Sequence, residues 1–148
     1  MSAKQRLRLL FLCTGNSCRS QMAEGYARHL ADGRFQILSA GIEAHGQNPR
    51  AIAVMAEDGI DISDQQSTRL DEAMLAAADV LVTVCGHADE HCPVVPPDVE
   101  KHHWPLDDPA RATGSEAGIM QAFRASRDEI RRRVIALLDT LSNPIPDR

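Results

Sequence analysis

Aromatic side chains are scarce in this 148-residue chain: one Trp, one Tyr and three Phe make up 3% of it, too few to wall a deep aryl-binding cleft. Long apolar runs are missing as well, and none approaches the roughly 20 residues needed to cross a bilayer. There is no excess of positive charge; the net charge of −5 opposes non-specific attachment to nucleic acid or to a membrane surface. No repeat or low-complexity segment is present. The N-terminus has the outline of a signal peptide ending at a lipidated Cys13, but Arg6 and Arg8 break its apolar stretch and Leu12 is a poor small-residue cleavage position. A cytoplasmic chain is therefore expected. Four cysteines in that compartment point to catalytic, redox or metal-binding use rather than to structural disulfides. With 43% hydrophobic and 25% charged residues, positions 1–148 read as one globular domain with a sizeable core. Without an obvious exposed apolar stripe, a monomer is expected.

What is present centres on Cys13-Thr14-Gly15-Asn16-Ser17-Cys18-Arg19-Ser20. Before it runs Arg6–Leu12, an apolar segment that reads as a buried strand. After it, Gln21–Leu30 has helical composition. The loop thus joins the C-terminal end of a strand to the N-terminus of a helix, where unpaired N–H groups converge and an anion is favoured. Gly15 and Asn16 tolerate backbone conformations in which successive N–H groups curl inward as a nest. Arg19 adds a planar fork matched to two oxygens of a tetrahedral oxyanion. The same positive surroundings favour the thiolate of Cys13.

The rest of the chain alternates strand and helix. Phe35–Ala40 reads as a strand closed by Gly41. Asn48-Pro49 opens a helix that runs to about Asp58-Gly59. No regular element is expected over 60–70. Asp71–Ala78 is a short helix, and Asp79–Val84 is a β-branched run expected as a central strand that delivers Cys85 to its C-terminal end. Gly86–Pro97 is a loop, a short strand falls within Val99–Leu106, and Ser115 caps a long helix to about Leu141. On that helix Ile119, Phe123, Ile130, Val134, Leu137 and Leu141 share a core-facing stripe, with Arg124, Arg127, Arg131 and Arg132 on a solvated face. The pattern predicts an α/β fold, a doubly wound, mostly parallel four-stranded sheet with helices on both faces. Ligands in such folds bind at the carboxyl ends of the strands, where both Cys13 and Cys85 stand.

Cys13, five residues, then Arg19-Ser20 is the signature of protein tyrosine phosphatases, and its place after the first strand resembles the low-molecular-weight branch. A closer resemblance is carried by Cys13–Gly25, Ser39-Ala40-Gly41-Ile42-Glu43, Asn48-Pro49, Cys85 with Cys92-Pro93, and Trp104 with Asp107-Asp108-Pro109. Together these look like the thioredoxin-coupled arsenate reductases, over almost the whole chain. The resemblance implies a low-molecular-weight phosphatase-like fold, arsenate as substrate and thioredoxin as electron donor. It implies that Cys13 attacks arsenic, that Arg19 and the loop hold the oxyanion, and that Asp108 protonates the departing oxygen. It further implies a disulfide first between Cys13 and Cys85, then between Cys85 and Cys92. Ser20 is expected to hydrogen-bond the Cys13 sulfur, and Asn16 to hold the loop's shape. Asp107 is the other candidate acid but lacks the following proline. Cys18 reads as a small buried residue, and Trp104 as a packing anchor.

Some of these reductases bind potassium beside the loop through an Asn, a Glu, a Ser and an Asp. Asn16, Glu24 and Ser39 match three of the four; the fourth falls on Thr68, with Arg69 next to it, so a weak potassium site at Asn16, Glu24 and Ser39 is the most that is expected, and no tightly bound cofactor. A zinc site of Cys13, Cys18, Cys85 and Cys92 with His87 and His91 is disfavoured, because an arginine-bearing loop repels a cation. The competing enzyme reading is a low-molecular-weight tyrosine phosphatase in which Cys85 and Cys92 protect Cys13 from oxidation. Against it, Ala110 stands where such phosphatases resemble one another in a Tyr after Asp-Pro. A low-molecular-weight thiol in place of thioredoxin also remains open.

Overall fold

The computed structural model describes residues 7–31, 33–85 and 95–142. Four strands form one sheet: β1 (Leu7–Cys13), β2 (Phe35–Gly41), β3 (Val80–Thr83) and β4 (Glu100–His103), in the order β2-β1-β3-β4. Every pairing is parallel, with Cys13 level with Gly41 and Leu12 level with Thr83. The expected sheet was mostly parallel; among the described residues it is entirely so.

Consecutive positions 9–13 of β1 and 80–83 of β3 are all buried. Neighbouring residues of a strand point to opposite faces, so unbroken burial means that both faces are covered. The covering helices are α1 (Arg19–Ala31), α2 (Pro49–Glu57), α3 (Glu72–Ala77) and α4 (Glu116–Ser142). α1 packs on α4, α2 packs on both, and α3 lies against β1. β4 is an edge strand whose sequence, Glu-Lys-His-His, is largely solvent-facing, as suits an edge that must not recruit another strand. No helix among the described residues is long and apolar enough to cross a membrane.

The element ends follow local chemistry. The Asn48 side chain accepts from Arg50 N at 2.8 Å ahead of Pro49, and Asp71 accepts from Met74 N at 2.7 Å. Ser115 Oγ accepts from Gly118 N at 3.1 Å ahead of α4. The α4 stripe buries Phe123, Ile130, Val134 and Leu137, joined by Leu138, while Ile119 and Leu141 are only partly buried. Of its arginines, Arg131 and Arg132 lie exposed on the expected solvated face, whereas Arg124 and Arg127 are partly buried against a neighbouring helix. Arg124 forks onto both oxygens of Glu57 at 2.9 and 3.0 Å, and Arg127 donates to the Val54 carbonyl at 2.9 Å and to Glu57 at 3.1 Å. These tie α4 to α2, a partnership that the periodicity of one helix cannot reveal. Arg132 pairs within its own helix, with Glu129.

Phe123 is completely buried where α4 meets the core. Phe123→Ala is expected to cost about 3–5 kcal/mol through lost burial and a residual cavity. Equilibrium urea unfolding reads it, and a loss below about 1 kcal/mol contradicts this placement.

Candidate active site

The loop between β1 and α1 is shaped by where its carbonyl groups go. The carbonyls of Cys13, Thr14, Gly15 and Ser17 accept from the backbone N–H groups of Ile42, Glu43, His45 and Asn48, at 2.8–3.1 Å. The Asn16 carbonyl accepts from Gln21 Nε2 at 3.1 Å. With its acceptors turned outward, the loop keeps its donors for the cleft. Segment 42–48 can lie this close because residue 41 is glycine: a Cβ there would stand 2.2 Å from the Glu43 carbonyl oxygen and 2.7 Å from Asn16 N.

Asn16 is the strained member. Its φ of 50° is left-handed, a conformation costly for residues other than glycine and least so for Asn and Asp. It is fully buried and held on every side. Its Nδ2 donates to Ser20 Oγ at 2.7 Å and to Ser39 Oγ at 2.9 Å, and its Oδ1 accepts from Thr68 N at 2.7 Å. Ser39 Oγ donates to Glu24 Oε1 at 2.5 Å, and Arg28 Nε donates to Glu24 Oε2 at 2.7 Å. On the reactive side, Asn16 N donates to Cys13 Sγ at 3.2 Å, and Ser20 Oγ lies 2.8 Å from that sulfur. A Cys13 thiolate can only accept, so toward that form the Ser20 hydroxyl is the donor.

The loop floors a cleft of about 730 Å³ lined by Cys13, Thr14, Gly15, Ser17, Cys18, Arg19, His45, Cys85, Leu106, Asp107, Asp108 and Arg111. Arg19 is only 7% exposed. Its Nη1 donates to the Leu106 carbonyl at 2.9 Å and its Nη2 stands 3.6 Å from Asp108 Oδ2. Its buried Nε has no hydrogen-bond partner among the described residues. A buried unsatisfied donor costs about 1–3 kcal/mol, more when charged, and an oxyanion in the cleft is the kind of acceptor that relieves it. Asp108 is anchored from the other side, its Oδ1 accepting from Ala110 N at 3.0 Å at the start of the short 3₁₀ turn Pro109–Arg111.

The structure therefore brings Cys13, Arg19, Asp108 and Cys85 to one cleft. Cys85 Sγ lies 3.3 Å from Thr14 Oγ1, and Cys13, Cys18 and Cys85 are all buried with no disulfide among them. Burial pushes the Cys18 thiol up to about 11, so it stays protonated at neutral pH. Trp104 is buried with its ring 5.9 Å from that of Phe11, under β1. Asp107 also lines the cleft, from an exposed position. Cys92, His87 and His91 lie outside the described residues. Among the described residues no group of three or more His, Cys, Asp or Glu is arranged to hold a metal ion. Sequence reasoning missed His45 and Arg111 as cleft-lining residues, and Arg28 as the partner of Glu24. For Arg28 a signal existed, since acid and base four apart on a helix face each other.

The sequence profile of the low molecular weight phosphotyrosine protein phosphatases matches residues 8–145. The chain is 51% identical over 132 residues to an arsenate reductase of Bacillus subtilis (strain 168), covering 89% of this chain and 95% of that one. Among solved structures it is similar to an arsenate reductase in a phosphate-binding state, with a TM-score of 0.75 and 34% identity over 90% of this chain and 98% of the other. It is also similar to a thioredoxin-dependent arsenate reductase of Corynebacterium glutamicum, with a TM-score of 0.77 and 25% identity over 95% of this chain and 64% of that one.

Arg19→Lys keeps the charge and loses the fork. Inorganic phosphate, measured by titration calorimetry, is expected to bind the variant about 10–100-fold more weakly, the worth of one or two charge-assisted hydrogen bonds. Unchanged affinity contradicts Arg19 as the anion's main ligand.

Proposed function

The chain belongs to the low molecular weight phosphotyrosine protein phosphatase family, and within it we propose that it is a cytoplasmic enzyme reducing arsenate to arsenite with electrons from thioredoxin. The observation that carries this reading is the second thiol. Cys85 lines the same cleft as Cys13, its sulfur in contact with the hydroxyl of the nucleophile's chain neighbour, Thr14. Hydrolysing a phosphate ester needs one thiol. Reducing arsenic(V) to arsenic(III) takes two electrons, and a second thiol within reach supplies the route for them. Among the described residues the cleft also has no Phe, Tyr or Trp in its lining, as suits a small inorganic oxyanion better than an aryl phosphate.

Arsenate docks on the loop N–H groups and the Arg19 guanidinium, displacing Asp108 from its contact with that arginine. The Cys13 thiolate, supported by donors from Asn16 and Ser20, forms a bond to arsenic. One oxygen departs as water, protonated by Asp108. The Cys85 thiolate then attacks the Cys13 sulfur. The sulfur–arsenic bond breaks with its electron pair left on arsenic, so arsenite is released and a Cys13–Cys85 disulfide remains. Cys92 attacks Cys85 in turn, freeing Cys13 and leaving a Cys85–Cys92 disulfide for thioredoxin to reduce by thiol exchange. The support for Cys92 is its spacing in the sequence and the family resemblance. The support for thioredoxin is the Corynebacterium glutamicum relative.

The test is coupled turnover with arsenate, thioredoxin, thioredoxin reductase and NADPH, phosphate replacing arsenate as control. Arsenate-dependent NADPH oxidation is expected, falling at least about 10³-fold in Cys85→Ser, as for loss of a group essential to the chemistry. Cys92→Ser is expected to release one arsenite per chain and stop. Arsenite release without NADPH oxidation overturns thioredoxin as donor. Efficient aryl phosphate hydrolysis that survives both substitutions, with no arsenite formed, returns the protein to the phosphatase reading.

A further inference from the structure

Behind the oxyanion loop, on the side away from the cleft, lies a second cavity of about 650 Å³ whose lining includes Glu24, Arg28, Ser39, Asp61, Asp64 and Thr68. Glu24 is its buried charge, the side chain 7% exposed, and a buried carboxylate needs a compensating partner. Arg28, one helical turn on and 51% exposed, supplies it. Its Nε takes Glu24 Oε2 at 2.7 Å, while its Nη2 donates to the Ile37 carbonyl of β2 at 2.8 Å. The guanidinium therefore clips α1 to the neighbouring strand. From Glu24 an unbroken run of hydrogen bonds leads through Ser39 and Asn16 to Ser20 and the Cys13 sulfur.

The residues that match a potassium site do not fit a potassium ion here. Such an ion wants several oxygens turned to a common point. Asn16 offers this corner the NH₂ of its side-chain amide, and its Oδ1 is taken by Thr68 N. The Ser39 hydroxyl is committed between Asn16 and Glu24. Both Glu24 oxygens already accept donors, and position 68 is a threonine, not a carboxylate.

We propose that Arg28 is a positioning residue, a covalently tethered cation that takes the place of a diffusible monovalent ion and holds Glu24, Ser39 and Asn16 in the arrangement that shapes the oxyanion loop. The loop's grip on an anion is then independent of potassium. Removing the guanidinium leaves Glu24, with Asp61 and Asp64 lining the same cavity, as a site that a small cation can enter.

The test measures binding of inorganic phosphate to the loop by titration calorimetry, in potassium chloride and in tetramethylammonium chloride at equal ionic strength. Since it reads anion affinity rather than turnover, it stands whether or not arsenate is the substrate. The unsubstituted protein is expected to differ by less than about twofold between the two salts. Arg28→Ala is expected to bind phosphate about tenfold more weakly in tetramethylammonium, the size of coupling that a remote network position carries, and to regain affinity saturably as potassium is added. Arg28→Lys should keep most of the affinity in both salts. If Arg28→Ala does not fold, as circular dichroism would show, the double variant Arg28→Ala with Glu24→Gln removes the buried charge together with its partner. It is expected to bind phosphate equally in both salts. Saturable tightening by potassium in the unsubstituted protein overturns the proposal, as does full affinity of Arg28→Ala in tetramethylammonium or a potassium response in the double variant.

Discussion

The site depends on one constraint: the loop must turn its carbonyls away from the cleft while Asn16 sits in a left-handed conformation. Neither is favourable for the loop alone. Segment 42–48 takes the carbonyls and the closed Asn16 network offsets the strain, so the geometry is imposed from outside. A residue in a sparsely populated backbone region persists only when its surroundings over-determine it. Here they do, and the same contacts bring donors to the Cys13 sulfur.

That constraint also explains why the parallel sheet matters to the chemistry. β1 and β2 in register put Cys13 level with Gly41, which carries segment 42–48 directly over the loop. β1 and β3 in register put Leu12 level with Thr83, so the cysteine that ends β1 and the one that follows β3 stand at the same, carboxyl, end of the sheet. Val84 N still donates to the Leu12 carbonyl at 2.9 Å, one residue before Cys85. A slip of one residue in either pairing would turn a sulfur away from the cleft. The two thiols are therefore placed by the sheet, while Asp108, the acid in the proposed reaction, comes from a loop and a single 3₁₀ turn, with its carboxylate 3.6 Å from Arg19.

Much of this was legible in residue order. Cys13, Arg19 and Ser20 at fixed spacing, strand–loop–helix around them, Asn48-Pro49 and Ser115 as helix starts, and the apolar run before Cys85 are all local signals. They were readable because capping, turn preference and hydrophobic period act over a few residues. The α4 arginines show the limit. Their helical wheel gave the solvated face for Arg131 and Arg132 but not the partner of the other two: Arg124 and Arg127 hold Glu57 some 70 positions away in the chain, beyond what any wheel can encode.

The sequence by itself determined the Cys13–Ser20 loop between strand and helix, the cysteine that follows the central strand and the alternation that makes the sheet, because each is written in neighbouring residues. Only the tertiary structure decided what the loop is pinned by, which donor of Arg19 lacks a partner among the described residues, and that Glu24 is paired with Arg28. The physical reason is distance along the chain. Segment 42–48 and Thr68 reach the loop through strand register and a glycine-sized gap at Gly41, and Leu106 and Asp108 reach Arg19 only once β4 has joined the sheet.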